Sequence, residues 1–288
     1  MSRSRRPKRD GRDGREGAKG DRREKRGSGR DGKSRKGPKQ RRTQRSSDHL
    51  VPGERAVVEL LRASPGRVKR LLVEDGREFS AVRALAEDAG VQIEGVEREV
   101  LDELVGASLA RGVLALARPP KRWAVEDLLE QDEGPRTRRG HQLIVACDGV
   151  VDPHNLGAII RSAEFFGALG VVWPRDRSAP LSPAAVRSSA GASERVSLAE
   201  CTNLARVLEQ AKARDWWVVG TVVDEGQPLH RFAEDPPQRM VLVVGSEQRG
   251  MRRLTRERCD VLLTITRGGS LGSLNVSAAA AVCLSALG

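Results

Sequence analysis

From Leu50 onward the apolar positions alternate between two periods. GERAVVELLRAS (53–64) places Ala56, Val57, Leu60 and Leu61 at helical spacing, RVKRLLVED (67–75) reads as a short strand, and REFSAVRALAEDAG (77–90) predicts a helix stopped by Gly90. VQIEGV (91–96) alternates as a strand, a helix follows over about 97–105, and GVLALAR (112–118) is a further strand. These segments predict a small α/β domain over 49–118. The Pro-flanked, charged stretch 119–140 reads as a linker with one short helix.

The remainder, 141–288, is richer in unbroken apolar runs. LIVAC within 141–150, GVVWP (170–174), WWVVGTVV (216–223), RMVLVVGSE (239–247) and CDVLLTIT (259–266) predict strands. Between and after them, 155–170, 182–192, 203–214 and 274–288 predict helices, the last built of small residues. Strands alternating with helices imply a mostly parallel sheet covered on both faces, whose ligands bind in loops at the carboxyl ends of the strands. No apolar run reaches 18 residues, so no transmembrane helix is expected. MSRSRRPKRD leads into no apolar core, which argues against a secretory signal. Four widely spaced cysteines without a CxxC pair suit a reduced, cytoplasmic protein and no Cys-rich zinc site.

Charge changes the picture at one end only. The 288-residue chain has a net charge of +12, yet residues 1–47 hold 20 Lys+Arg against 6 Asp+Glu, which is +14, leaving −2 for the rest. Residues 1 to about 48 have almost no aliphatic side chains, so nothing there offsets chain entropy and a disordered basic tail is expected. Such an arm attracts polyphosphate, and RNA is the expected partner.

Three predicted loops hold the candidate chemistry. CDGVVDPHNLGAIIR (147–161) carries Asn155 at a strand-to-helix turn and Arg161 one and a half turns later; ordinary helix capping alone accounts for the asparagine. VVGSEQRGM (243–251) runs a buried strand into Gly245, Glu247 and Gly250, and the glycines suit a backbone path close to a ligand. TRGGSLGSLNVSAAAAV (266–282) sets Gly268, Gly269, Gly272, Ser273, Asn275 and Ser277 before a helix able to pack closely. His154 offers a general base, although a lone loop histidine is ordinarily incidental. There is no P-loop, no Rossmann glycine fingerprint and no HExxH.

Taken in order, DPHNLGAIIRSAEFFGA, VGSEQRGMRRLTRERCDVLLTI and GSLGSLNVSAAAAVCL resemble the three motifs of the SpoU/TrmH family of the SPOUT superfamily, RNA ribose 2′-O-methyltransferases that use S-adenosylmethionine. The resemblance spans 141–288. It extends to 50–118, which is similar to the ribosomal-protein-like substrate-binding domain of the branch that modifies a guanosine of large-subunit ribosomal RNA. It implies a parallel sheet whose C-terminal segment is threaded into a trefoil knot, and a homodimer with the active site near the subunit interface. By position it implies cofactor contacts at Gly245, Ile265 and Leu274, and functional roles for Asn155, Arg161, Glu247, Ser273 and Asn275, with no metal. Thr266-Arg267 departs from the Pro-Met common in the family, and Ala110-Arg111-Gly112 stands where His-Gln-Gly is frequent.

Transfer of a methyl group to a ribose hydroxyl asks the protein mainly to position the hydroxyl and favour its alkoxide. A guanidinium stays protonated, so Arg161 is expected to fix a phosphate and stabilise negative charge on the 2′ oxygen, with Glu247 holding it through a paired hydrogen bond. Two other readings remain open: methylation of transfer RNA, and a non-catalytic RNA-binding or ribosome-assembly protein on the same scaffold.

Overall fold

A computed structural model describes residues 48–288. The basic arm, 1–47, and the expectation about its order lie outside the described residues. Asp48, assigned to the arm from its composition, accepts a hydrogen bond from Lys69.

The small unit is a four-stranded sheet of β1 (His49–Pro52), β2 (Val68–Glu74), β3 (Ile93–Val96) and β4 (Val113–Ala117) in the order β1-β4-β2-β3. β4 is antiparallel to both neighbours, and β2 and β3 are parallel. Alternation along β2 and β4 feeds two apolar layers. Leu71, Val73 and Ala115 pack with α1 (Glu54–Ala63) and α2 (Ser80–Asp88), whereas Leu72 and Leu114 pack with Leu101 of α3 (Arg98–Val105). α2 begins three residues later than the pattern suggests. Phe79, with φ −132° and ψ 78°, buries its ring at the entry and leaves the helix to start at Ser80.

The larger sheet has seven strands: β5 (Gln142–Asp148), β6 (Gly170–Pro174), β7 (Ser197–Cys201), β8 (Trp217–Val222), β9 (Gln227–Pro228), β10 (Arg239–Gly245) and β11 (Val261–Thr264). Their order is β7-β6-β5-β10-β8-β11-β9, and every pairing is parallel. β5 is buried along its whole length, which explains a continuous apolar run in place of an alternating one. One face is covered by α5 (Pro153–Phe165) and α10 (Val276–Leu287), the other by α4 (Val125–Leu129) and α7 (Leu204–Lys212). Burial pushes the Cys147 and Cys283 thiols up to about 12, so both behave as core residues. No helix among the described residues is long and apolar enough to cross a membrane.

The segment 119–140 carries one short helix, α4, but it does not run free between the two sheets. Val125, Leu128 and Leu129 are buried on the larger sheet. The Leu129 carbonyl accepts from the Trp216 indole at 3.0 Å and from Arg239 at 2.9 Å, and the Arg139 N–H donates to the Gly288 carbonyl. Its charged residues face water while three apolar side chains anchor it.

The two sheets belong to one packed unit. Val186 of α6 (Pro183–Ser188) is buried in the small sheet's core. Gly191, at φ 94°, approaches α1 so closely that a Cβ would lie 2.6 Å from Glu59. The fully buried Glu194 carboxylate accepts from Arg67 at 2.5 Å. Removing one partner of such a buried pair typically costs about 3–5 kcal/mol, because it leaves the other charge buried and unpaired.

Candidate active site

Each of the three loops singled out in the sequence leaves the carboxyl end of a strand and prepares a side chain for the same place. Asp152 caps α5, accepting from the His154 N–H at 2.9 Å, and so sets the first turn that carries the buried Asn155. Asn275 caps α10. Its Oδ1 accepts from the Ser277 N–H at 2.8 Å and the Ser277 hydroxyl at 2.6 Å. With Oδ1 occupied, Nδ2 is directed away from the helix, to Asn155 Oδ1 at 3.1 Å and Glu247 Oε1 at 2.7 Å. Asn155 Nδ2 donates to the same Glu247 oxygen at 2.5 Å. Two helix starts and one strand end thus meet on a single carboxylate, through hydrogen bonds strengthened by its charge.

Beside this cluster lies an open cavity of about 1060 Å³, bounded by the ends of β8, β10 and β11. Its inner wall is the hairpin after β10, where Ser246 and Gly250 exchange backbone hydrogen bonds of 3.0 and 2.8 Å. Gly245 has no room for a side chain: a Cβ would lie 2.3 Å from the backbone of Gly250 and of Met251. The hairpin is tied to β5 by the buried Asp148, which accepts from the Arg252 N–H at 2.7 Å and lies 3.3 Å from the Arg252 guanidinium. Ile265, Leu271 and Leu274 add apolar surface to the opposite wall. The rim is charged: Arg267 donates to Asp224 at 3.3 Å and to the Gly272 carbonyl at 3.0 Å, and Arg256 donates to Glu225 at 3.3 Å.

Gly245, Ile265, Leu274 and Ser273 all line this cavity, and Asn155, Glu247 and Asn275 form the adjoining cluster. Arg161 does not join them. The expected paired bond from Glu247 to Arg161 is absent, since Asn155 and Asn275 occupy the carboxylate and Arg161 is exposed on α5. Six residues at about 100° each turn Arg161 roughly 120° around the helix from Asn155. Asp148, Asp224, Arg252 and Arg267 were not among the candidate site residues. A carboxylate closing the apolar run LIVAC was the one visible sign of Asp148; the other three needed the fold. Among the described residues no group of three His, Cys, Asp or Glu is placed to hold a metal ion.

A parallel sheet with a backbone-walled cavity and a polar cluster at its carboxyl edge defines an α/β protein built to bind a small molecule beside a reacting group. The chain belongs to the SpoU rRNA methylase family, which matches residues 142–285; the RNA 2′-O ribose methyltransferase substrate-binding family matches 50–123. It is similar to the 23S rRNA (guanosine-2′-O-)-methyltransferase RlmB of Pseudomonas syringae pv. tomato, 42% identical over 238 residues that cover 81% of this chain and 92% of the relative. The RlmB of Bordetella pertussis is 40% identical over 243 residues, covering 83% and 96%. Among solved structures, the SpoU methyltransferase AviRb from Streptomyces viridochromogenes, in complex with AdoMet, superposes with a TM-score of 0.68 at 27% identity, over 84% of this chain and 90% of that one.

Proposed function

We propose that the protein transfers a methyl group from S-adenosylmethionine to the 2′-hydroxyl of a guanosine in large-subunit ribosomal RNA. The observation that carries the reading is the meeting of Asn155, Glu247 and Asn275 on the edge of the cavity. The cavity suits the cofactor. Ile265 and Leu274 offer apolar surface for a flat base, and the backbone of the Gly245 hairpin offers hydrogen-bonding groups without intervening side chains. Gly268, Gly269 and Gly272 have open space where a Cβ would stand, so the free fold does not demand glycine there, whereas a closely held ligand does. S-adenosylmethionine, when bound, supplies the electrophilic methyl group.

The residues of the chain do the rest. Both amide donors converge on Glu247 Oε1, which leaves Oε2 to accept a hydrogen bond from the ribose hydroxyl. Asn155 and Asn275 hold that carboxylate in one orientation. Arg161, permanently charged, serves the phosphate beside the target and the negative charge that grows on the 2′ oxygen. Ser273, on the third loop, orients the ribose from the cavity side.

We read the assembly as a homodimer and the C-terminal segment as a trefoil knot. Phe165, 78% exposed, stands one turn beyond Arg161 on the same face of α5, and a second subunit would cover it and bring Arg161 into a closed site. For the knot, β10 is inserted between β5 and β8, and after β11 the chain returns to place α10 on α5 and β10. The protein acts in the cytoplasm, where its RNA is.

Calorimetry should detect S-adenosylmethionine binding to the purified protein, and unmethylated large-subunit ribosomal RNA should gain a 2′-O-methylguanosine detected by mass spectrometry. Arg161→Ala should slow transfer by about 100-fold with little change in cofactor affinity. Near-normal turnover of that variant would remove Arg161 from the chemistry. Methylation of transfer RNA alone would move the substrate to the other open class.

A further inference from the structure

The loop between α3 and β4, residues 106–112, has an unusual backbone. Gly106 and Gly112 take φ of 92° and 90°, and two residues with side chains, Ser108 at 61° and Arg111 at 50°, share the left-handed region. Side chains rarely stand there, and strain of this kind collects at binding sites. The loop is held against the catalytic part by Arg187 of α6, whose guanidinium donates to the Leu109 carbonyl. A Cβ on Gly53 would lie 3.3 Å from the same guanidinium. Arg111 therefore projects two residues from the point where Arg187 docks.

The electrostatics of this junction are one-sided. Burial first, and then the Arg111 charge, push the Arg187 guanidinium below its ordinary value. Two other arginines of the junction have a carboxylate: Arg67 pairs with Glu194 at 2.5 Å, and Arg195 with Glu59 at 2.7 Å. Among the described residues neither Arg111 nor Arg187 forms a salt bridge. The Glu74 carboxylate beside Gly112 is taken by Arg77 at 3.4 Å, so two neighbouring cations are left without an ion-pair partner and form a site of positive potential that an anion relieves. The junction also adjoins the reacting cluster. Ser188, next after Arg187, donates its hydroxyl to the His154 carbonyl at 2.9 Å, and Asn155 follows His154 in the chain. Gly157 lets α5 and α6 approach so closely that a Cβ there would meet the Ala185 carbonyl at 2.3 Å.

We propose that Arg111 and Arg187 form a phosphate site which grips the backbone of the substrate RNA where the small unit meets the catalytic sheet, and so sets which nucleotide reaches Asn155, Glu247 and Asn275. The proposal rests on the RNA methyltransferase reading and deepens it. The junction gives it a purpose: through the Arg187–Leu109 and Ser188–His154 hydrogen bonds, a phosphate held at Arg187 is placed relative to the reacting cluster.

The test uses the full chain and, as probe, large-subunit ribosomal RNA transcribed in vitro. Arg111→Gln should weaken RNA binding roughly 10-fold, the size of one charge-assisted hydrogen bond. Its log–log salt slope should flatten by about 0.7–0.9 for the one phosphate released. Arg111→Lys should recover most of the slope, and calorimetric affinity for S-adenosylmethionine should stay at the wild-type value in both. Arg187→Gln should reproduce the loss; if it unfolds, the two Arg111 variants decide alone. An Arg111→Gln protein with wild-type melting temperature, RNA affinity and salt slope overturns the site. If the wild type shows the arginine-dependent slope but transfers no methyl group to the transcript, the phosphate site stands and the methyltransferase reading falls.

Discussion

The two loops that wall the cavity are both rich in glycine, and they need it for different reasons. At Gly245 the fold itself forbids a side chain, because a Cβ would sit 2.3 Å from the backbone of the hairpin that follows. At Gly268, Gly269 and Gly272 nothing lies within 4 Å of the Cβ position. The first loop is therefore a wall already built in the free protein, locked by the Ser246–Gly250 bridge and by Asp148 on Arg252. The second is an open rim, pinned by an exposed arginine, Arg267, to Asp224 and Gly272. A preorganised wall and an adaptable rim divide the task of holding a ligand that has to enter and leave.

Five substitutions at four positions break or sharpen that contrast. Gly245→Ala should have the largest effect. The obstructing atoms are the Gly250–Met251 backbone and leave no flexible group to yield, so a stability loss of about 3 kcal/mol is expected, together with loss of cofactor binding. A denaturant titration and calorimetry measure the two. A normally folded, cofactor-binding alanine variant would show that the hairpin gives way and is no rigid wall.

Asn275 joins the wall to the rim and does two things at once, which two variants separate. Asn275→Ala should lose the helix cap, about 1 kcal/mol, and slow methyl transfer by about 100-fold. Asn275→Asp keeps an acceptor for the Ser277 N–H, and so the helix cap, but sets a second carboxylate against Glu247; transfer should fall as far as in the alanine variant although the cap is retained. Normal transfer by the aspartate variant would reduce Asn275 to a cap.

Gly272→Ala should leave stability within about 0.5 kcal/mol of the wild type, since the position is open in the free protein. Its cofactor affinity should drop several-fold by calorimetry, and equal affinity would mean the rim never closes on the ligand. The smallest effect is expected for Arg267→Ala. Both partners of its ion pair are more than half exposed, and such pairs contribute about 0–1 kcal/mol. Thermal melting should barely move, while the salt sensitivity of cofactor binding should decrease; a large loss of stability would make Arg267 part of the wall.

The contrast between the loops also separates what could be read along the chain from what could not. Asn155, Glu247 and Asn275 were legible as residues of interest from their loops: Asn155 at a strand-to-helix turn, Glu247 between two glycines after a buried strand, and Asn275 after three glycines and before a helix. Their capping partners, Asp152 and Ser277, are local, and local geometry follows from neighbouring residues. The role assigned to Glu247 did not survive folding: paired with Arg161 in the sequence reading, it is instead held by two asparagines, 92 and 28 residues away in the chain. The stretch 119–140 shows the same limit from the other side. Its charge and prolines describe the surface it presents, whereas Val125, Leu128 and Leu129 decide where it packs.

The sequence by itself determined most of the elements, though not the strands β1, β7 and β9, along with the parallel α/β class, the placement of charge in the arm and the three loops worth attention. Periodicity and capping act over a few residues, so they are written along the chain. Only the tertiary structure decided that an amide from each of two helix starts meets one carboxylate, that Gly245 is forbidden a side chain while Gly272 is not, and that Arg187 reaches Leu109 across 78 residues. Those outcomes depend on the order in which strands lie in the sheet. That order is set by burial of the whole apolar surface at once, a property that no short stretch of the chain carries.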